Sequence, residues 1–429
     1  MTSERKRILS WSLYDWANSA FSTTVVAGFF PIFFEKYWSN PNDVIQSTYQ
    51  LGWANSLASI LVAALAPFLG AIADKGSAKK KFLIFFCYFG VVMTGGLFIV
   101  DQGEWELAVL LYIASSVGFM GANIFYDSLM PSLAPKEKMN FVSSLGFALG
   151  YIGGGLLFLV NVLMYLNPHW FGIADPSTAI RLSFLSVAVW WGIFTIPLIL
   201  FVPEPKVDNP LALHKSVMAG YRQLRQTFNH IRELKVIGAF LLAYWLYIDG
   251  VDTIIRMSVK MGSSLGFEAG DLITALLMVQ FIAFPSALAY NWFASKIGTK
   301  KAVLIAIGGY SLVTLLAFFM TDKNHFFILA AMIGLFQGGI QALSRSLFAR
   351  LVPRGKEAEF FGFYNMLGKF AAVIGPIMMG WVTLATGNVR MGILSILVLF
   401  VSGAFLLSKV DFDKGERLAL EFSGMNNLE

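Results

Sequence analysis

Apolar side chains occur in twelve long runs along this chain, and polar or charged connections separate them. A helix needs about 20 apolar residues to cross the hydrocarbon core of a bilayer. The pattern therefore predicts an all-α integral membrane protein with twelve transmembrane helices. The runs cover residues 10–35, 51–73, 82–100, 106–126, 141–165, 181–202, 236–259, 270–294, 302–320, 326–348, 359–385 and 390–408.

The composition agrees with this pattern. The 429 residues are 57% hydrophobic and only 14% charged, with a mean hydropathy of +0.66. Soluble domains carry about a quarter of charged residues. The net charge of +6 is therefore expected to reflect membrane topology and not a nucleic-acid partner. Cys87 is the only cysteine, which excludes an intrachain disulfide and a cysteine metal site.

Most of the 32 lysines and arginines fall at the N-terminus, at the C-terminus and in every second connection. The positive-inside rule then predicts that both termini are cytoplasmic. The first seven residues are short and basic, and the first apolar run is too long for a signal peptide, so none is expected. The short loops favour a bacterial inner (plasma) membrane over a vacuole. The opposite connections hold Lys36, Arg181, Lys260, Lys323 and Arg390.

The two halves of the chain resemble each other at a constant offset. Gly121 matches Gly339, and Asp127 falls on Arg345, so the halves carry opposite charges at one equivalent position. A repeat of this length predicts two six-helix bundles in parallel orientation. We expect bundles at 1–202 and 236–408, a linker at 203–235 and a tail at 409–429.

The linker is expected to contain an amphipathic helix on the cytoplasmic leaflet, in contact with membrane lipids. A regulatory docking helix is the alternative interpretation. The apolar positions alternate at spacings of four and three residues: Val217, Tyr221, Leu224, Phe228 and Ile231.

The connection after the second run reads GAIADKGSAKKK, from Gly70 to Lys81. It resembles the signature loop of the major facilitator superfamily, except that Ser77 replaces the usual second glycine. The resemblance implies two pseudo-symmetric bundles around a central cavity, alternating access, and a chain that acts as a monomer. It also implies that Asp74 contacts the N-terminal end of helix 11, supported by Lys75 and Lys80. The acids near Glu357 would compete for the same helix end.

The first run opens with Tyr14 in the string YDWANSAF. Asp15, Asn18, Ser19 and Ser22 share one helix face. A buried acid in a membrane span indicates a functional site, although Asp15 could instead be a capping acid near the surface. The string resembles the first helix of the vacuolar (autophagy-related) effluxer-like branch. That resemblance implies transport of amino acids, with which the yeast member is associated.

Polar residues in later runs complete the candidate site. Asp249 and Lys369 are predicted at similar depth, either as a lateral ion pair or as two walls of one cavity. Asp252 can pair with Arg256 one turn away. The remaining candidates are Asn123, Asp127, Gln341 and Asn365. In the fifth run, a ridge of glycines is predicted to allow close helix packing: Gly146, Gly150 and Gly154.

No catalytic, cofactor or metal-binding motif is recognised, so the chain is not expected to be an enzyme. All four histidines fall in predicted connections. If protons are coupled to transport, a carboxylate must therefore carry them: Asp15, Asp127, Asp249 or Asp252. The favoured function is secondary transport of a small organic solute, with amino acids first. Export of amphipathic drugs or lipids is the alternative, and a non-transporting solute sensor is a third hypothesis.

Overall fold

A computed structural model describes residues 3–40, 43–205, 207, 211–229, 235–264, 268–370 and 374–425. Every secondary-structure element within these ranges is helical. Eleven of the described helices are long and apolar enough to cross a membrane, and Ile374–Thr386 is a shorter apolar helix. The prediction of an all-helical membrane fold is confirmed.

We number the membrane helices α1 to α12. A linker helix, Leu213–Asn229, lies between α6 and α7, and a C-terminal helix, Phe412–Met425, follows α12. The described part of the predicted amphipathic segment is therefore helical, and residues 230–234 lie outside the described residues. The membrane helices are α1 Ser3–Trp38, α2 Val44–Gly76, α3 Lys79–Gly96, α4 Trp105–Leu129, α5 Met139–Leu166, α6 Pro176–Phe201, α7 Lys235–Ser264, α8 Ala269–Ile297, α9 Thr299–Phe318, α10 Lys323–Leu351, α11a Glu357–Phe370, α11b Ile374–Thr386 and α12 Val389–Lys409.

The eleventh apolar run was predicted as one helix over 359–385. Its described parts are helical, α11a and α11b, and residues 371–373 between them lie outside the described residues, so the continuity of this helix stays a prediction. The backbone N–H groups of Ile374 and Gly375 donate to the carboxylate of Asp249, at 2.9 and 2.8 Å. A side chain from α7 thus binds two backbone N–H groups in the first described turn of α11b, in the manner of an N-cap.

The glycine ridge on α5 packs closely against a neighbouring helix, as predicted, and the structure shows that this neighbour is the polar face of α1. A Cβ atom on Gly146 would lie 2.5 Å from the Asp15 carboxylate, and one on Gly150 would lie 2.6 Å from the Ser19 hydroxyl. Side chains larger than hydrogen would push these helices apart. The ridge therefore brings the polar face of α1 close to α5.

Both ends of the described chain lie beside the connection between α4 and α5. Glu4 pairs with Lys138 at 2.7 Å, and Glu416 of the C-terminal helix pairs with Lys136 at 3.3 Å. Two ends on one side agree with an even number of membrane crossings. We call this side the latch end, because Asp74 of the signature loop binds the start of α11a there and so joins the two halves of the chain.

Candidate functional site

A central cavity of about 400 Å³ lies between the helices of the two halves. Helices α1, α4 and α5 line it from one half, and α7, α8, α10 and α11a from the other. Eight of the predicted candidates contribute to this lining: Asp15, Asn18, Ser19, Asn123, Asp127, Asp252, Gln341 and Asn365. The structure thus brings these residues together, while their roles stay predictions.

The wall of the cavity toward the latch end is built around Arg345 of α10, which is buried. Its Nη1 donates to Asp127 at 3.0 Å, and its Nη2 donates to Asp15 at 3.2 Å. Its Nε and Nη2 also donate to the hydroxyl and carbonyl oxygens of Ser143, at 2.9 and 3.1 Å. One guanidinium therefore joins three helices of the first half to one helix of the second.

Neighbouring side chains orient the two carboxylates of this ion cluster. The Tyr126 hydroxyl donates to Asp15 at 2.7 Å, and the Asn365 amide donates to Asp127 at 3.0 Å. The guanidinium also lies 4.2 Å from the ring centroid of Phe147. Two acids share one cation here, so the cluster has one excess negative charge when both are ionised.

Side-chain amides and hydroxyls also line the cavity, among apolar and aromatic side chains. Asn18 donates to Asn123 at 2.6 Å within the first half. Two further hydrogen bonds in the lining cross between the halves: Tyr151 donates to Gln341 at 2.6 Å, and Gln280 donates to Thr23 at 2.6 Å. Such groups can donate to a solute carboxylate and accept from a solute ammonium.

Two of the predicted candidates lie away from the lining. Tyr14 is buried behind the cavity wall, where its ring packs 4.8 Å from that of Tyr126. Asp249 is also buried, and its carboxylate binds backbone N–H groups of α11b. The proposed pairing of Asp249 with Lys369 is not tested, because the Lys369 side chain lies outside the described residues. The observed bonds nevertheless give Asp249 a capping role.

Arg345 was not selected from the sequence as a site residue. The repeat comparison contained the relevant signal, because it placed Arg345 at the position equivalent to Asp127. Opposite charges at equivalent positions of two parallel repeats can meet at the interface between them. Asp252 lies in the cavity lining, and its pairing with Arg256 stays a prediction.

The signature loop closes the latch end as the resemblance implies. The Asp74 carboxylate accepts the backbone N–H groups of Ala358 and Glu359 at 3.1 and 2.9 Å, at the start of α11a. Gly70 makes this approach possible, because a Cβ atom there would lie 2.2 Å from the Ala358 carbonyl oxygen. Asp74 is 1% exposed, so the contact is shielded from water.

The cation that supports Asp74 is Lys79, not the predicted Lys75 or Lys80. The Lys79 ammonium lies 3.0 Å from Asp74 and 2.6 Å from Glu357. The Glu357 acid was expected to compete with Asp74, and in the structure both carboxylates pair with the same Lys79 ammonium. Lys80 instead donates to the carbonyl oxygen of Val202 at 2.8 Å.

Glu204 and the linker helix extend the closed latch end. Glu204 accepts the backbone N–H groups that begin α3, and burial raises the pKa of its carboxyl. Gln223 of the linker helix donates to Glu359 at 2.6 Å, and Lys356 donates to Thr227 at 3.1 Å. The linker helix is thus joined to the start of α11a on the same side as Asp74.

Comparison with known proteins agrees with this geometry. A family model described as "Vacuole effluxer Atg22 like" matches residues 42–420. The chain is 40% identical over 410 residues to the "Uncharacterized MFS-type transporter YxiO" of Bacillus subtilis (strain 168), and the match covers 94% of each chain. It is 24% identical to "Autophagy-related protein 22" of Yarrowia lipolytica (strain CLIB 122 / E 150), over 85% of this chain and 76% of that protein.

The fold is also found among solved structures. The structure of the proton:xylose symporter XylE, bound to 6-bromo-6-deoxy-D-glucose, superimposes with a TM-score of 0.72 at 15% identity. The match covers 97% of this chain and 98% of XylE. The fold and the relatives together define a multi-pass membrane transporter of the major facilitator superfamily, which is not an enzyme. Within that superfamily, the chain belongs to the vacuole effluxer Atg22-like family.

Proposed function

We propose that this transporter moves a small organic solute, with amino acids first, by alternating exposure of the central cavity to the two sides of the membrane. The observation that carries this proposal is the ion cluster of Asp15, Arg345 and Asp127. It joins the two halves and forms part of the cavity wall. A cavity of about 400 Å³ lies in the size range of small-molecule sites.

A zwitterion can exchange partners with this cluster. The ammonium group of an amino acid would bind Asp15, and its carboxylate would bind Arg345. Each of these contacts would take over one partner of the ion pair between Asp15 and Arg345, which lie 3.2 Å apart and join the two halves. Solute binding would therefore weaken the closure of the latch end, because the solute binds better where the pair is separated. Asn123 and Gln341 would orient the solute.

Proton coupling is proposed at the same cluster. Two carboxylates share one guanidinium, so a proton on Asp15 or Asp127 removes the excess negative charge without breaking both pairs to Arg345. Asp249 is a weaker candidate for carrying a proton, because its carboxylate already binds two backbone N–H groups of α11b. We therefore place the negative anchor at Asp15 and the positive anchor at Arg345.

Thermal unfolding of the purified protein tests this proposal, since a ligand of the native state raises its apparent stability. Amino acids, dipeptides, sugars and lipophilic cations form the panel. We expect a rise confined to one group of amino acids, which Asp15→Asn abolishes and Asp249→Asn preserves. A rise with none of the amino acids would contradict the proposal.

The alternative substrate class is an amphipathic drug or lipid. Aromatic side chains in the lining favour it: Phe119, Phe147, Tyr151, Tyr244 and Tyr364. Rings of this kind offer large apolar surfaces against which an apolar solute can pack. Stabilisation by lipophilic cations alone would support this class over amino acids.

The membrane orientation is part of the proposal. The distribution of lysine and arginine supports a cytoplasmic position for both termini, and with them for the latch end. The Bacillus relative supports a bacterial plasma membrane. We further propose that residues 1–202 and 236–408 move as two bodies within a monomer.

A further inference from the structure

A second groove, of about 330 Å³, lies at the latch end outside the central cavity. One side is the beginning of α3, and the other is the chain that leads into the linker helix. The groove lies where α3 enters its apolar stretch. It is lined by Gly76, Ala78, Lys81, Phe82, Phe85, Leu211 and Ala212.

The rim of this groove is basic. Lys81 lines it and is exposed, and Lys215 lies one turn beyond Ala212, also exposed. No carboxylate is among the described residues that line the groove. Arg222 and Arg225 continue the exposed basic surface along the linker helix. This charge distribution favours an anionic ligand.

The wall of the groove is apolar and continues along α3. Phe85 is 63% exposed, and its ring stacks with that of Phe89 one turn further, at 6.2 Å between centroids. The exposed ring of Phe85 and the half-buried ring of Phe89, in line with a basic rim, present an apolar surface and a positive charge to the same ligand. A phospholipid has that combination of an anionic head and an apolar chain.

We propose that this groove binds one anionic phospholipid from the leaflet at the latch end. The phosphate lies between Lys81 and Lys215, and one acyl chain lies along Phe85 and Phe89. The site is separate from the transported solute and does not depend on the proposed function.

The equivalent place in the second half differs in charge. A larger cavity, of about 540 Å³, surrounds the beginning of α9, and its lining is mixed: Asp411 and Asp413 lie among the basic residues Lys300, Lys301, Arg350 and Lys409. Two acids next to an anionic headgroup are unfavourable. Of the basic residues there, Arg350 pairs with Glu416, and Lys300 donates to the carbonyl oxygens of Ser408 and Val410. The second half therefore supplies a control for the experiment.

A lipid bound in this groove would also contact the linker, which is attached to the first half at two places. The Leu211 N–H donates to the Lys75 carbonyl oxygen at 3.2 Å, so one wall of the groove is attached to the signature loop. Gly220 of the linker helix packs against α2, where a Cβ atom would lie 2.9 Å from Ile72. A lipid between α3 and this segment would therefore stabilise the closed arrangement of the linker.

The full-length protein in detergent tests the site. Its thermal midpoint is measured with added phosphatidylglycerol, phosphatidylcholine or sodium phosphate, and retained lipids are counted by native mass spectrometry. We expect phosphatidylglycerol to raise the midpoint most, with one lipid retained. Each cation near an anionic lipid contributes roughly fivefold to binding, so Lys81→Gln/Lys215→Gln should need roughly 25-fold more lipid for the same rise. Phe85→Ala should also weaken retention.

The matched control is Lys296→Gln/Lys301→Gln, which removes two exposed lysines around the start of α9. It should respond to phosphatidylglycerol as the wild type does. An equal loss in this control would overturn the proposal in favour of diffuse charge. Equal stabilisation by phosphatidylcholine, by phosphate alone, or by poly-glutamate as a probe for an acidic protein partner would overturn it as well.

Discussion

Removal of the Arg345 guanidinium should destabilise the protein more than removal of any surface charge. Asp15 and Asp127 are 8% and 6% exposed, and Arg345→Gln would leave both without their counter-charge. Loss of one partner from a buried ion pair costs about 3–5 kcal/mol. We expect a loss of that size in the free energy of unfolding, and a smaller one at acidic pH, where protonated carboxyls need no counter-charge.

Arg350→Gln is the matched control on the same helix. Its guanidinium pairs with Glu416 at 2.7 Å, but the Arg350 side chain is 30% exposed. Exposed pairs contribute roughly 0.2–1 kcal/mol. Unfolding in mixed micelles with rising dodecyl sulfate content, followed by fluorescence of the 11 tryptophans, measures both variants. Equal losses for Arg345→Gln and Arg350→Gln would refute the buried ion cluster.

Three further predictions concern the latch end and the cap of α11b. Gly70→Ala places a methyl group 2.2 Å from a carbonyl oxygen, so a spectroscopic distance between labels on opposite halves should lengthen at the latch end. Lys79→Gln leaves two acids without their shared cation and should lower the thermal midpoint more than Lys75→Gln, its neighbour in the loop. Asp249→Ala removes the cap of α11b and should cost about 1–2 kcal/mol of unfolding free energy. Asp249→Asn keeps an accepting oxygen and should retain most of that stability. Equal losses in the two variants would argue against capping.

In the signature loop, the sequence pattern predicts one contact correctly and does not predict the other. The contact of Asp74 with the start of α11a follows from a resemblance that covers a short stretch of sequence, and the structure contains that contact. The choice of Lys79 as the supporting cation does not follow from the pattern. Four lysines lie within the loop, and only the direction of α3 decides which of them points toward Asp74.

The central cluster shows where single-sequence reasoning ends. The polar face of α1 was recognisable from helical spacing, and so was the acid at the end of α4. Their common partner, Arg345, is separated from Asp15 by 330 positions, and no local rule joins them. The cap of α11b by Asp249 is of the same kind, because a carboxylate in α7 could equally have faced the cavity.

The most direct test of the account is counterflow in proteoliposomes. Liposomes that contain the wild-type protein and an unlabelled amino acid should take up the same labelled amino acid with saturation. Asp15→Asn should abolish that uptake, and Arg350→Gln should preserve it. Uptake of lipophilic cations with no amino-acid counterflow by the wild-type protein would contradict the account.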